Sequence, residues 1–149
     1  MYKHRVNYYE TDAMGVTHHS NYVRWMEEAR IYMMDKLNFS YKKLNQIGIG
    51  SPVLEYRCQI KHSADFDDEI EIRLKCVEYN SVRLTIDYEM YKEQKLIAIG
   101  ETKHCFTNKK GVPIRLNKDC KELDEVINNF VTAYPKTFNI IVNETNLGL

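Results

Sequence analysis

Tyr8-Tyr9-Glu10-Thr11-Asp12-Ala13-Met14-Gly15-Val16-Thr17-His18-His19-Ser20-Asn21-Tyr22 runs directly into a segment that is apolar around most of a helical circumference. Tyr22, Met26, Ala29, Met33 and Leu37 fall at helical spacing. Val23, Trp25, Tyr32 and Met34 widen that stripe past half the circumference. The polar remainder is Arg24, Glu27, Glu28, Arg30 and Asp35. The spacing predicts a helix over Asn21 to Leu37, with Ser20 or Asn21 as its N-cap. A helix so apolar must be buried on most sides.

The rest of the chain supplies what buries it. Residues Tyr2 to Tyr9 read as a strand, and Thr11 to His19 as a loop turned at Gly15. Ser40 to Gln46 reads as a short helix broken by Gly48 and Gly50. Beyond Pro52 the period changes to two, in runs near Pro52 to Lys61, Glu69 to Tyr79, Val82 to Lys92 and Lys95 to Thr107. Short turns between them imply an antiparallel meander with one inward and one solvated face. Lys118 to Phe130 reads as a second amphipathic helix, ended near Pro135, and Phe138 to Val142 as a last strand. The fold class is α+β, one domain over residues 1–149, with a sheet packed on one apolar helix.

Bulk properties narrow the function. The 149 residues carry 21 Lys and Arg against 21 Asp and Glu, so net charge gives no case for nucleic acid. No apolar run reaches the length of a membrane span. Met1-Tyr2-Lys3-His4-Arg5 leads into the first strand without a signal-like apolar region, and cytosol is the expected compartment. Cys58, Cys76, Cys105 and Cys120 have neither zinc nor disulfide-framework spacing, and the first three read as strand residues. Eleven tyrosines suit half-buried strands and interfaces.

The opening stretch also carries chemistry. Asp12 is a carboxylate in a loop just before a helix, and His19 adjoins the helix start. The first amides of a helix lack intrahelical acceptors and carry partial positive charge. A carbonyl placed there is polarised, and a nearby carboxylate can attack it or deprotonate water. Gly15 lets the loop turn tightly or lets a substrate approach the backbone. The plain alternative is turn chemistry, since Asp side chains bond to nearby amides. Tyr8 reads equally as a core tyrosine or a pocket wall, and Glu27 and Glu28 as the solvated or capped side of the helix. A metal site from Asp12, His18, His19 and Glu27 is disfavoured, because adjacent loop histidines rarely converge on one ion.

Taken together, Asp12-x-x-Gly15-Val16, His19-x-Asn21-Tyr22 and Trp25-x-Glu27-x-Ala29-Arg30 resemble the hot-dog-fold acyl-CoA thioesterases of the 4-hydroxybenzoyl-CoA thioesterase family. The branch associated with the Tol–Pal system is most similar, with its motif met at Tyr8, Asp12, Gly15, His19, Asn21 and Tyr22. The resemblance covers about residues 3–116 and includes the acidic turn Asp65-Phe66-Asp67-Asp68-Glu69, where Ser63 stands in place of a common proline. It implies a five- or six-stranded antiparallel sheet wrapped around the central helix, and a homodimer or homotetramer with active sites at the dimer interface. It implies hydrolysis of an acyl-CoA substrate without cofactor or metal. Asp12 matches the catalytic carboxylate, His19 the active-site histidine and carbonyl-polarising amide, and Tyr8 a tyrosine of the same site. Gly15, Tyr22 and Met26 are the expected acyl-side contacts. Lys61, Ser81 and Arg83 are the expected contacts for the pantetheine and nucleotide end. The rival readings are an acyl-carrier-protein thioesterase and a non-catalytic acyl-CoA-binding module.

Overall fold

A computed structural model describes residues 1–131. The element order is β1 (Tyr2–Arg5), a 3-10 turn (Tyr8–Glu10), α1 (Ser20–Lys36), α2 (Tyr41–Ile47), β2 (Val53–Ile60), β3 (Glu69–Tyr79), β4 (Arg83–Lys92), β5 (Lys95–Cys105), α3 (Leu116–Asp119) and α4 (Lys121–Val131). The five strands form one antiparallel sheet in the order β1-β3-β4-β5-β2. The sheet curls over α1, which is the hot-dog arrangement.

Register shows how the helix is enclosed. Ile72, Met90 and Ala98 stand opposite one another, then Leu74, Tyr88 and Gly100, then Cys76, Ile86 and Thr102. These rows meet Tyr22, Trp25, Met26, Ala29 and Met33 on α1, all buried. The closest approach is at Gly100, where an added Cβ would lie 2.3 Å from Met26 Cε and 3.0 Å from its Sδ. Gly100→Ala is therefore expected to destabilise the fold by about 1–3 kcal/mol through overpacking. Urea unfolding of a Gly100→Ala and Met26→Ala double-mutant cycle checks the contact, with a coupling of about 1 kcal/mol expected.

Several boundaries differ from the sequence reading for local reasons. The first strand stops at Arg5, because the chain turns into a 3-10 turn at Tyr8–Glu10. Val6 stays bound to the acidic turn, donating to Asp68 O at 2.9 Å and accepting from Asp67 N at 3.0 Å. The C-terminal helix is two pieces, since Cys120 adopts φ −154° and ψ 78° between α3 and α4. Leu123 and Ile127 of α4 are buried as expected. The expected break at Pro135 and strand at Phe138 to Val142 lie outside the described residues.

Two burial expectations are also corrected. Arg30, assigned to the polar side of the helix, is only 5% exposed. The outer face of the central strands is not freely solvated either. Asp87 and Glu101 stand opposite each other and are both buried. Flanking strands fold long cations across them, with Arg57 Nε 3.1 Å from Glu101 Oε1. Long side chains cover a surface that the two-residue alternation marks as wet.

The two sheet edges differ in kind. β1 is short and carries the exposed Lys3 and Arg5. β2 is eight residues long, and its register with β5 turns Tyr56, Cys58 and Ile60 to the helix side. Cys58 packs against the core beside Tyr22, but Tyr56 is 61% exposed and Ile60 45%, so α1 leaves these two side chains uncovered.

Candidate active site

The loop between β1 and α1 is organised by a residue that the sequence reading passed over, Glu10. Its carboxylate is 4% exposed. Oε1 accepts from Asn7 N at 2.8 Å and Asn7 Nδ2 at 3.1 Å, and lies 2.7 Å from His4 Nε2. Oε2 accepts from Trp25 Nε1 at 2.6 Å. Burial pushes the Glu10 pKa up, but hydrogen bonds from Asn7, Trp25 and His4 outweigh it, so the net shift is downward. The backbone carbonyl of Glu10 accepts from His18 N at 2.8 Å and Asn21 Nδ2 at 2.9 Å. One residue thus ties β1, the loop and α1 together. A signal for it existed in the sequence. Asn7 followed three residues later by Glu10 is the capping-box pattern, and it precedes the 3-10 turn.

On this anchor sits a small hairpin. Thr11 pairs with Thr17, Asp12 N donates to Val16 O at 2.9 Å, and Gly15 N donates to Asp12 O at 3.0 Å. Gly15 adopts φ +80°, a left-handed conformation that favours glycine. An added Cβ there would meet nothing within 4 Å, so backbone conformation, and not crowding, is what glycine supplies. Asp12 Oδ1 accepts from Met14 N at 2.8 Å. The turn chemistry is therefore real. It engages one carboxylate oxygen, and among the described residues the Asp12 side chain has no other hydrogen bond.

The helix start differs from the expected cap. α1 begins at Ser20 with His19 in the N-cap position and no side-chain cap. His18 Nδ1 instead accepts from Ser20 N at 3.2 Å and lies 2.8 Å from Ser20 Oγ. Asn21 N donates to His18 O at 3.0 Å and Tyr22 N to His19 O at 3.3 Å. Three consecutive amides are thus engaged. Among the described residues, the His19 N–H has no acceptor. The His19 side chain is exposed, stacked on His18 at 4.1 Å between ring centroids.

The other expected site residues separate into groups. Tyr8 is 77% exposed and packs edge-on against Phe66, 5.6 Å between centroids, so within one chain it is neither core nor enclosed wall. Tyr22 and Met26 lie beneath the loop in the core. Burial, with Cys58 nearby, pushes the Tyr22 hydroxyl up to about 12. Lys61 begins the segment that flanks the loop, where Thr17 N donates to Ala64 O at 2.8 Å and Val16 pairs with Asp65. Ser81 and Arg83 lie at the other end of β3, roughly 30 Å away along an 11-residue strand. The Ser81 hydroxyl is 2.6 Å from Asp124 Oδ1. No hydrogen bond joins Asp12 to His19, which leave the short ladder at opposite ends. Among the described residues no three His, Cys, Asp or Glu side chains are placed to hold a metal ion. Glu28 is not simply solvated, since it bonds Tyr2 OH at 2.9 Å and lies 2.9 Å from His4 Nδ1.

The arrangement offers a half-buried carboxylate and an available helix-start amide on one rigidly anchored loop. Aromatic and thioether side chains surround it, with Tyr9 81%, Met14 84% and Phe66 52% exposed. Comparison with known proteins places the fold as a whole. Residues 6–130 match the model of the thioesterase-like superfamily. A crystal structure of a hypothetical protein from Aquifex aeolicus is 36% identical, with a TM-score of 0.80, covering 85% of this chain and 97% of that one. A gentisyl-coenzyme A thioesterase is 27% identical, with a TM-score of 0.76, covering 86% of this chain and 99% of that one. A DHNA-CoA thioesterase from Staphylococcus aureus is 27% identical, with a TM-score of 0.81, covering 99% of this chain and 93% of that one.

Proposed function

The chain belongs to the thioesterase-like superfamily, and from that membership we propose that it hydrolyses an acyl-CoA thioester to a free acid and CoA. The observation that carries the reading is the pairing, on one loop, of the Asp12 carboxylate with the His19 amide that has no acceptor among the described residues. The 27% identical relatives act on gentisyl-CoA and DHNA-CoA, and they support a CoA thioester as the substrate class. The loop pattern of Tyr8, Asp12, Gly15 and His19 favours the Tol–Pal-associated branch within the family.

In this mechanism the thioester carbonyl rests against the start of α1. The His19 N–H and the positive end of the helix take up the charge that develops on oxygen, where one such donor is worth about 3 kcal/mol. Asp12 attacks the carbonyl carbon or takes a proton from the attacking water. The tetrahedral intermediate collapses with the CoA thiolate as leaving group, and where Asp12 itself has attacked, water then hydrolyses the acyl-aspartyl anhydride to the free acid and restores the carboxylate. The His19 imidazole orients Asp12, water or the leaving sulfur, and Tyr8 lines the same mouth. Gly15 shapes the loop, while Tyr22 and Met26 form its floor. Lys61 supplies a cation for the CoA end. Ser81 and Arg83 enter the reading only through a partner's copy of the β3–β4 turn.

The active form is a homodimer joined through β2. Support comes from its open backbone edge and from Tyr56 and Ile60, which are on the helix side of the sheet yet stay exposed. A long apolar edge left alone would template aggregation. Pairing two copies covers it and brings a second wall to the loop. Tyr56→Lys is expected to raise the dimer dissociation constant by about thirtyfold or more, the equivalent of ~2 kcal/mol at an aromatic interface position. Analytical ultracentrifugation measures that constant, and an unchanged value in the variant contradicts the assignment of this edge. Rates on matched acyl-CoA and acyl-carrier-protein thioesters test the carrier. A preference for the protein carrier of tenfold or more replaces the CoA reading.

A further inference from the structure

Asp12 and His19 share no hydrogen bond, so the distance between the carboxylate and the His19 N–H is set by the backbone that carries them. Asp12 follows closely on Glu10, and His19 adjoins His18. The buried side chain of Asn21 stands between those two backbone positions. Its Nδ2 donates to Glu10 O at 2.9 Å and to His18 O at 3.2 Å. Carbonyl oxygens only accept, so the atom between them is the amide nitrogen, and both of its hydrogens are used. Among the described residues, no other side chain bonds both Glu10 O and His18 O. Asn21 belongs to α1, where the neighbouring Tyr22, Trp25 and Met26 are fully buried. The amide is therefore held on a rigid element.

Neither carbonyl depends on this side chain to be satisfied. Glu10 O also accepts from His18 N at 2.8 Å, and His18 O from Asn21 N at 3.0 Å. The side chain adds a second bond to each, and a carbonyl oxygen has two lone pairs. Its truncation therefore orphans no backbone group, and it removes a geometric tie more than it removes stability. We propose, on the reading of the reaction given above, that Asn21 is a positioning residue: by bonding the backbone of Glu10 and of His18 at once, it holds the Asp12 carboxylate at a fixed distance from the His19 N–H. Attack on a carbonyl carbon needs the reacting atoms about 3–3.5 Å apart and aligned, and a 1 Å misplacement can cost on the order of a hundredfold. The amide is buried and acts through the loop, so its effect falls on kcat and not on KM.

In Asn21→Ala, kcat for thiol release from an acyl-CoA is expected to fall by about ten- to a hundredfold, with KM within about threefold of the wild type. The thermal midpoint is expected to fall by about 5 °C or less. Residue-resolved hydrogen exchange, followed by NMR, gives a readout independent of turnover. The Asp12 and His18 amides bond across the hairpin, to Val16 O and Glu10 O. In the variant they are expected to exchange about tenfold faster or more, while α1 amides from Met26 to Met33 keep their wild-type rates. A variant with wild-type kcat overturns the proposal. So does unchanged exchange at Asp12 and His18, faster exchange spread equally through α1, or loss of the fold. A wild type that releases thiol from no acyl-CoA overturns the reading of the reaction instead, and the exchange rates alone then decide the positioning of Asp12 against His19.

Discussion

Asp12→Asn is expected to lower kcat for thioester hydrolysis by about 10²–10⁴-fold while leaving the fold and the thermal midpoint nearly unchanged. The substitution separates the two roles of Asp12. As a turn residue it accepts from Met14 N through Oδ1, and an asparagine carbonyl oxygen accepts the same bond. Gly15 and Val16 bond the backbone of residue 12 and not its side chain, so the hairpin persists. What an amide cannot do is attack the carbonyl carbon or take a proton from water. A folded, inactive variant therefore assigns the chemistry to the carboxylate. Steady-state thiol release and circular dichroism, taken on one preparation, measure both halves. A variant that loses activity and folding together would leave Asp12 as a turn residue only.

Glu10→Ala is expected to be the most destabilising single change at the loop, by about 3–5 kcal/mol, the range for removing one partner from a buried charged network. That corresponds to a fall in midpoint of roughly 8–15 °C. The carboxylate takes bonds from Asn7 and Trp25 and lies against His4, so its removal leaves buried donors on β1 and α1 unsatisfied. Glu10→Gln keeps the shape but turns an amide N–H against a donor whichever way it is oriented, and about 2 kcal/mol is expected.

The same residue sets an acid limit. Its folded pKa is depressed, so the unfolded chain takes up the proton first as pH falls. Its stabilising contribution is fully present above the ordinary glutamate value of about 4.5 and is lost as pH falls through the lower folded value. Urea unfolding followed from pH 6 downward is expected to lose stability below about pH 4.5 in the wild type. Glu10→Gln is expected to be flatter over that range.

The fold was largely legible because its signals are periodic. The apolar spacing from Tyr22 to Met33 marks a helix enclosed on most sides, and the two-residue alternation marks each meander strand. Arg30 shows where periodicity stops. A helical position near the stripe reads as polar surface by residue type, while its burial depends on Tyr88 and Thr102, nearly sixty and more than seventy residues away. The outer sheet face shows the same limit, since the burial of Glu101 depends on Arg57 reaching across from β2.

Asp12, Gly15 and His19 stand out in the sequence as a spaced set, and all three lie on one anchored loop. Glu10 was overlooked because an acid among tyrosines has no periodic signature, although its distance from Asn7 carried one. The cap at Ser20 was misassigned because Ser and Asn are good caps in general. Here His18 occupies the Ser20 amide, and Asn21 reaches back to Glu10 O. Ser81 and Arg83 are expected contacts for the pantetheine and nucleotide end, and the length of β3 sets them apart from the loop within one chain.

Hydrolysis at the Asp12 loop is tested most directly by continuous thiol trapping on a panel of aromatic and aliphatic acyl-CoAs, with the wild type and Asp12→Asn run in parallel. The expected result is release of free CoA by the wild type from at least one member of the panel, reduced by about a hundredfold or more in the variant. Tight binding of CoA esters by the wild type, with thiol release no faster than the buffer rate across the whole panel, would contradict the reading and leave a binding module in its place.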